Sequence, residues 1–232
     1  MGSERAAAAR DVREVADGVF VATSARELTN TVVLVRDDAA LLVDPAWTPA
    51  ELAGLADWLE GRKLRVVGGF ATHAHHDHVL WHPRFGEVPR WASVVTAERA
   101  ARHRTRLVAD LGPDWPADLG ALVGWLTPTR AVTLDWPEPV ELVRHDAHTP
   151  GHTALWLPGP RILVAGDMLS DVEPPLPEET GPVEYLDGLH RLRLYVDRAA
   201  LVIPGHGYPG TDVADRWRHD VATLRRQVGV AP

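Results

Sequence analysis

The stretch "THAHHDHV", residues 72 to 79, places four histidines and one aspartate in six consecutive positions. The 232-residue chain has only 12 histidines and no cysteine, so a metal ion bound here would be held by nitrogen and oxygen ligands. Side chains alternate along an extended segment, which directs His73 and His75 to one ion while His76 faces elsewhere. The stretch therefore predicts a metal site whose ligands are set by this alternation.

The chain before this cluster predicts the strand and helix that carry it. "LRVVGGFAT", residues 64 to 72, is typical of a buried strand that runs straight into the histidines. Thr48 as N-cap, Pro49 at the first helical position and Glu51 three residues after the cap form a capping box, which predicts a helix over 49–60. Two apolar runs on either side of an acidic turn predict a hairpin at 31–35 and 40–45.

Ligands for a second ion are also available. A helix start after His76 would direct Asp77 and His78 towards such an ion. Three more candidates lie in glycine-flanked loops at predicted strand ends, where backbone and metal can approach closely: His152 in "TPGHT", Asp167 in "VAGDM" and His206 in "IPGHG".

The rest of the chain alternates strand and helix patterns. Residues 96–130 are helical in composition but contain "LGPDWPADLG" and "LTPT", which predicts a helical insertion at the mouth of the site or an ordinary packed helix pair. The last helix carries an apolar stripe that predicts core packing: Val213, Trp217, Val221 and Leu224. The other predicted elements are strands at 131–134, 139–145, 153–157, 161–166 and 200–207, and a helix at 183–195.

The composition excludes several classes of partner. The formal net charge is −8 and Lys63 is the only lysine, whereas nucleic-acid-binding proteins usually carry a basic surplus. The first 20 residues lack the apolar core of a secretory signal, and no stretch reaches the roughly 20 apolar residues of a membrane span. We expect one packed domain over 1–232, located in the cytoplasm, that acts on a small molecule and binds neither nucleic acid nor membrane.

Together, the histidine cluster and the later motifs resemble those of the metallo-β-lactamase superfamily. The similarity runs from about residue 18 to residue 210, and the metal motif is of the glyoxalase II and lactonase type. Asp44, at the end of the predicted strand "LLVD", matches another recurrent acidic position of the family. The resemblance implies an α/β fold of the αββα type, a four-layer sandwich in which two facing mixed β-sheets are flanked by helices.

The resemblance also implies a dinuclear site. It assigns the first ion to His73, His75 and His152, the second ion to Asp77, His78 and His206, and the bridging position to Asp167. Imidazole and carboxylate ligands suit two divalent ions, zinc first, with iron or manganese as alternatives. Two such ions lower the pKa of a shared water to about neutrality, and Asp77 is the predicted catalytic residue because it would orient the resulting hydroxide.

The remaining polar and aromatic candidates have more ordinary explanations. His76 is expected to be a bystander or to support a ligand, and His148 to be structural or to support a ligand. Asp44 is expected to hold the ligand loops through hydrogen bonds, whereas Trp47 and Trp81 would line the pocket or pack in the core. Histidines without a partner motif are interpreted as ordinary polar or surface residues: His82, His103, His145, His190 and His219.

Differences between this sequence and the patterns of known subfamilies narrow the range of expected substrates. The exported β-lactamases of the superfamily lack a bridging aspartate, and glyoxalase II enzymes continue into a helical glutathione-binding region, whereas only 26 residues follow His206 here. Ser170 stands where lactonases usually have a tyrosine, and Val79–Leu80–Trp81 replaces a common Gly-Gly. The additional motifs and basic exosite of the nuclease members are not found.

We therefore predict a dinuclear metal-dependent hydrolase that acts on a small ester, thioester, lactone or lactam. The alternative is a mononuclear iron-dependent oxidoreductase of the persulfide dioxygenase type, which would use only the first site. A metal-stabilised binding protein without turnover is a third possibility, disfavoured because structural metal sites are closed and seldom dinuclear.

Overall fold

Two facing β-sheets form the centre of the fold in the computed structural model, which describes residues 11–134, 136, 139–177 and 179–229. Residues 1–10, half of the segment predicted to lack a secretory signal, lie outside the described residues. The first sheet has seven strands in the order of the chain: β1 (Val12–Ala16), β2 (Val19–Thr23), β3 (Asn30–Arg36), β4 (Ala39–Val43), β5 (Arg65–Phe70), β6 (Arg90–Ser93) and β7 (Thr127–Thr129).

The second sheet has five strands in the order β12, β11, β10, β9, β8. Both sheets are mixed, because antiparallel pairing of β1 to β4 gives way to parallel pairing of β4 to β7, and only the β11–β12 pair is parallel in the second sheet. Its strands are β8 (Thr133–Leu134), β9 (Val140–Arg144), β10 (Thr153–Leu157), β11 (Ile162–Gly166) and β12 (Leu201–Pro204).

The helices pack on the outer faces of the two sheets. On the first sheet these are α1 (Pro49–Gly61) and α2 (Val94–Asp110), followed by the short α3 (Ala117–Gly120). On the second sheet they are α4 (Pro182–Val196) and α5 (Val213–Gln227). No helix among the described residues is long and apolar enough to cross a membrane.

Strand alternation divides the apolar side chains into three cores. In β4, Leu41 faces the other sheet and Leu42 faces the α1 side, and in β11 Val164 and Leu163 divide in the same way between the sheets and the α4–α5 side. Successive side chains of a strand point to opposite faces, so a strand covered on both sides is apolar throughout. The three cores confirm the predicted αββα sandwich.

The first helix forms as its sequence predicts. The hydroxyl of Thr48 accepts a hydrogen bond from the Glu51 amide at 3.2 Å, and the Glu51 carboxylate accepts one from the Thr48 amide at 2.9 Å. This capping box starts a helix that crosses from β4 to the parallel strand β5. The predicted hairpin is confirmed as the antiparallel β3–β4 pair.

The segment predicted as a helical insertion does more than cover the sheet. It contains α2 and α3, but it ends in β7, which pairs with β6 as the edge of the first sheet. Neither short strand is predicted by the sequence pattern. Helix α2 buries Ala97, Ala100 and Leu107 in the outer core, and its polar side leads to the cluster described next.

Candidate metal centre

The candidate ligands come from loops at the ends of central strands. The loop after β5 carries the histidine cluster, Asp167 follows β11, and His206 lies two residues after β12. The β12 loop is joined to the first sheet, since the Asn30 amide donates to the Gly205 carbonyl at 2.7 Å. Strand ends from both sheets therefore meet at one rim of the sandwich.

The first group contains His73, His75, His148 and Asp167, whose candidate ligand atoms all lie within 4.8 Å of one another. Nε2 of His148 is 3.2 Å from Nδ1 of His75 and 3.3 Å from Oδ2 of Asp167. Nε2 of His73 is also 3.3 Å from Oδ2 of Asp167. Three imidazoles and one carboxylate thus converge on a space the size of one ion.

The second group contains Asp77, His78 and His206. Oδ2 of Asp77 lies 3.3 Å from Nε2 of both His78 and His206, and these two nitrogens are 3.4 Å apart. Asp167 reaches this group as well, with Oδ1 at 3.1 Å from Nε2 of His78 and Oδ2 at 3.4 Å from Nε2 of His206. Asp167 therefore lies between the two groups.

The arrangement of the donor atoms favours binding of divalent cations over hydrogen bonds between the donor atoms themselves. Nε2 of His73 and Oδ1 of Asp167 are buried and, among the described residues, form no hydrogen bond of acceptable geometry despite these short distances. Buried polar groups are nearly always hydrogen-bonded unless another partner is expected. Nitrogen and oxygen lone pairs that converge without protons between them are the donor set of a zinc-type site.

The pKa values of the candidate ligands also favour a cation site. Burial lowers the pKa of His206, but its contacts with Asp167 and Asp77 outweigh burial and raise it to about 11. Burial raises the pKa of Asp167, but His78 and His73 outweigh it and hold the pKa well below its usual range. Burial likewise lowers the pKa of His78, but the neighbouring carboxylates outweigh burial and raise it, whereas burial holds the pKa of His73 well below its usual range. Binding of cations would release the protons of His206 and His78.

Six of the seven predicted ligands belong to the two groups, and the third imidazole of the first group is that of His148, not that of His152. Both ring nitrogens of His152 are nevertheless buried without a hydrogen bond among the described residues, and its ring lies 5.0 Å from that of His73. His148 and His152 are therefore both candidates for the third imidazole. The ring centroids of His148 and His152 are 6.0 Å apart. Sequence reasoning treated His148 as structural or supporting, and the two histidines of "HTPGH", residues 148–152, were the signal that either could occupy one ligand position.

The backbone fixes the position of His152. Its carbonyl accepts from the His145 amide at 2.9 Å, and the next residue begins β10, so its position is fixed by the sheet. The side chain packs over Gly166, where an added Cβ would lie 2.1 Å from Nε2 of His152. His145, predicted as an ordinary polar or surface residue, is instead buried edge-on against this ring, with centroids 4.7 Å apart.

Asp44 supports the ligand loop, as predicted. Its Oδ1 accepts from the Thr72 amide at 2.8 Å, and its Oδ2 accepts from the Thr72 hydroxyl at 2.6 Å. The same Oδ2 lies 3.0 Å from Nδ1 of His78. A proton held on Nδ1 leaves Nε2 of His78 free to bind a cation, so Asp44 sets both the ring orientation and the tautomer.

Other contacts fix the remaining candidates. The backbone carbonyl of Glu27 lies 2.8 Å from Nδ1 of His206, which directs the opposite nitrogen into the site. The hydroxyl of Tyr185 on α4 donates to the Asp167 carbonyl at 3.1 Å. Gly205 lets its loop approach, because an added Cβ would lie 1.9 Å from Oδ1 of Asp167. Sequence reasoning did not identify Glu27 or Tyr185.

Trp47, Trp81 and His76 lie outside both ligand groups. Trp47 and Trp81 are both buried in the outer core beneath α1, which supports core packing for the two side chains. Trp47 also contacts the ring of His76 edge-on, with centroids 5.3 Å apart. His76 belongs to neither ligand group. Its nearest contact with a ligand is Nδ1 to Oδ1 of Asp77 at 3.8 Å.

A cavity of about 240 Å³ opens onto both groups. Its walls include ligands of both groups together with three carboxylates, Glu27, Glu173 and Glu179, and the apolar Leu176. A second cavity of about 550 Å³ lies beside it along α2 and shares His75, His76 and Glu179. The metal centre is therefore accessible to a small molecule.

Comparisons with known proteins agree with this geometry. The family model of the metallo-beta-lactamase superfamily matches residues 25–206. A hydroxyacylglutathione hydrolase of Synechococcus sp. (strain CC9605) is 30% identical over 145 residues, which is 59% of this chain and 49% of that protein. The match thus spans about half the length of this curated relative.

Solved structures share the fold at low identity. A metallo-beta-lactamase from Pontibacter korlensis has a TM-score of 0.73 and 21% identity, with 94% of this chain and 100% of that chain covered. A beta-lactamase domain protein from Burkholderia ambifaria has a TM-score of 0.72 and 23% identity, with 98% and 79% covered. With the family match over 25–206 and this fold, the chain belongs to the metallo-beta-lactamase superfamily.

Proposed function

We propose that the chain is a dinuclear metal-dependent hydrolase of small carbonyl substrates, with thioesters the first class to test among thioesters, esters, lactones and lactams. The observation that carries this proposal is the position of Asp167 between two groups of buried donors, with contacts of 3.1 to 3.4 Å to both. The name of the Synechococcus relative favours thioesters, because a hydroxyacylglutathione hydrolase cleaves a thioester bond.

The proposed ligands follow the sequence assignment except that His148 is the first choice for one position, with His152 as the alternative. His73, His75 and His148 would hold one ion, Asp77, His78 and His206 the other, and Asp167 would bridge them. Bound divalent ions, zinc first with iron or manganese as alternatives, would supply Lewis-acid activation of a carbonyl and of a water molecule. The protein would supply the orientation of both reactants.

Asp77 is the proposed catalytic residue of the chain itself. Its Oδ2 lies 3.3 Å from Nε2 of both His78 and His206, its Oδ1 lies 3.8 Å from Nδ1 of His76, and the residue lines the cavity. One carboxylate oxygen is thus committed to the ligand group, and the other can hold the attacking water and accept its proton. The cavity wall then confines the substrate carbonyl close to this oxygen.

Metal stoichiometry and turnover test the proposal together. We expect about two zinc ions per chain after reconstitution, measured by elemental analysis, and chelator-sensitive hydrolysis in a panel of thioesters, aryl esters, lactones and a chromogenic β-lactam. Asp77→Asn should lower the turnover rate by about 100-fold or more, consistent with loss of general-base assistance. One ion per chain for every metal tested would contradict the dinuclear proposal and favour the iron-dependent oxidoreductase.

A further inference from the structure

A carboxylate outside both ligand groups contacts a candidate ligand. Oε1 of Glu179, in the loop before α4, lies 3.3 Å from Nε2 of His75. The two residues are 104 positions apart in the chain. The other nitrogen of His75, Nδ1, is the one that faces His148 within the first group. The imidazole of His75 is therefore held between the candidate metal position and a carboxylate.

An arginine holds this carboxylate in place. The guanidinium of Arg99 on α2 donates to Oε2 of Glu179 in a close ion pair. Each carboxylate oxygen of Glu179 therefore has its own partner, His75 for Oε1 and Arg99 for Oε2.

The arrangement sets the tautomer of His75. If Nδ1 binds a cation, the proton must be on Nε2, and that nitrogen faces Oε1 of Glu179. A carboxylate that accepts this proton fixes the plane of the ring and makes Nδ1 a stronger donor. Arg99 contributes by keeping the Glu179 carboxylate in position, since its side chain is only 27% exposed and lies against the same cavity wall.

We infer that Glu179 is a positioning residue for His75, that Arg99 anchors Glu179, and that α2 is thereby linked to the first metal position. This inference rests on the metal centre of the proposed function. It assigns a role to helix α2, which otherwise only covers the sheet and lines the neighbouring cavity.

Zinc titration of the metal-free protein against a chromophoric chelator tests the inference. We expect Glu179→Gln to weaken binding of one zinc ion by about 10-fold or more and to leave the other nearly unchanged. Arg99→Ala should have a smaller effect in the same direction. Glu98→Gln and Arg102→Ala are matched controls, because both side chains are exposed on α2 and neither is in the ligand groups.

Two further measurements separate positioning from a structural role. The visible absorption of the cobalt-loaded protein should change in Glu179→Gln, whereas the circular dichroism and melting temperature of its metal-free form should match the wild type. In a His148→Ala background, Glu179→Gln should cause no further loss of zinc affinity, because both changes act on the same ion.

The outcomes distinguish this inference from the proposed function. Wild-type zinc affinity and a wild-type cobalt spectrum in Glu179→Gln would overturn the positioning role while leaving the hydrolase proposal intact. If the wild type bound two zinc ions but hydrolysed no substrate, and Glu179→Gln still weakened zinc binding, only the hydrolase proposal would be overturned. Failure of the wild type to bind zinc, iron or manganese would overturn both.

Discussion

His78 and His75 show how single side chains become ligands. Each imidazole has one nitrogen towards the centre and the other against a carboxylate, Asp44 in the case of His78 and Glu179 in the case of His75. The carboxylate fixes the tautomer, so a ligand is defined by the partner behind it as much as by its own position. His148 has a backbone carbonyl in this place, with Nδ1 at 3.2 Å from the Leu176 carbonyl oxygen.

The competition between His148 and His152 gives the first residue-scale prediction. His148→Ala should remove one zinc ion and nearly all activity, because it removes a donor atom from the first group. His152→Ala should keep two ions, although it leaves a cavity in a fully buried region and lowers the melting temperature. Elemental analysis of the zinc content of both variants tests this. Loss of a zinc ion from His152→Ala, with two zinc ions kept in His148→Ala, would support His152 as the ligand instead.

The second residue-scale prediction compares neighbours in the histidine cluster. His75→Ala should lose the first ion, whereas His76→Ala should keep both ions and much of the hydrolysis rate, since His76 contacts Asp77 and Trp47 from outside the groups. A supporting residue costs at most about 10- to 100-fold in affinity or activity. Zinc content and turnover rate are the measurements. Equal metal loss in both variants would contradict the alternation of side chains along this segment.

At the scale of elements, strand ends deliver the ligands and short loops bring them together. Helix α1 and strands β3 to β5 follow directly from capping and periodicity in the sequence. The last two strands of the first sheet, β6 and β7, do not, because they have four and three residues and form only through pairing with each other and with β5. Local pattern carries little information about such pairing.

The loop after β12 gives a prediction at this scale. Gly205→Ala should weaken zinc binding by about 10-fold or more, because the added Cβ would lie 1.9 Å from Oδ1 of Asp167 and displace this carboxylate or the loop. Gly61→Ala at the end of α1 is the control, as nothing lies within 4 Å of its added Cβ. Chelator competition measures the affinities. Wild-type affinity in Gly205→Ala would show that the close approach is not required.

At the scale of the whole molecule, three apolar layers hold two sheets so that their rims meet. The inter-sheet core places β5 of one sheet opposite β11 and β12 of the other. Helices α4 and α5 then cover the second sheet and reach the loop after Asp167. The ligand groups depend on the complete sandwich, because each group combines residues of the loop after β5 in the first sheet with residues of loops from the second sheet.

A buried carboxyl of α5 gives the prediction for stability and pH. Burial raises the pKa of Asp220 to about 7, although its Oδ2 accepts from the Leu169 amide at 3.3 Å. A carboxyl whose pKa is higher in the folded than in the unfolded protein favours folding at low pH, and this contribution is lost as pH rises towards 7. The free energy of unfolding should therefore fall between pH 5 and pH 8.

Asp220→Asn should remove this loss. Between pH 5 and pH 8, the free energy of unfolding of the metal-free wild type should fall by roughly 2 to 3 kcal/mol more than that of the variant. Denaturant unfolding at the two pH values measures the difference. Asp215→Asn, at an exposed position of the same helix, should follow the wild type. Parallel pH profiles for the wild type and Asp220→Asn would contradict the raised pKa.

The sequence by itself determined the histidine cluster, the helix cap of α1, the strands that carry the loops and the supporting role of Asp44. These follow from local spacing, because capping and side-chain alternation act over a few residues. The tertiary structure brought His148 beside His73 and His75 as a second candidate next to His152, because the fold of the preceding loop places it there. It also decided the contact of Glu179 with His75, because only folding joins side chains 104 residues apart.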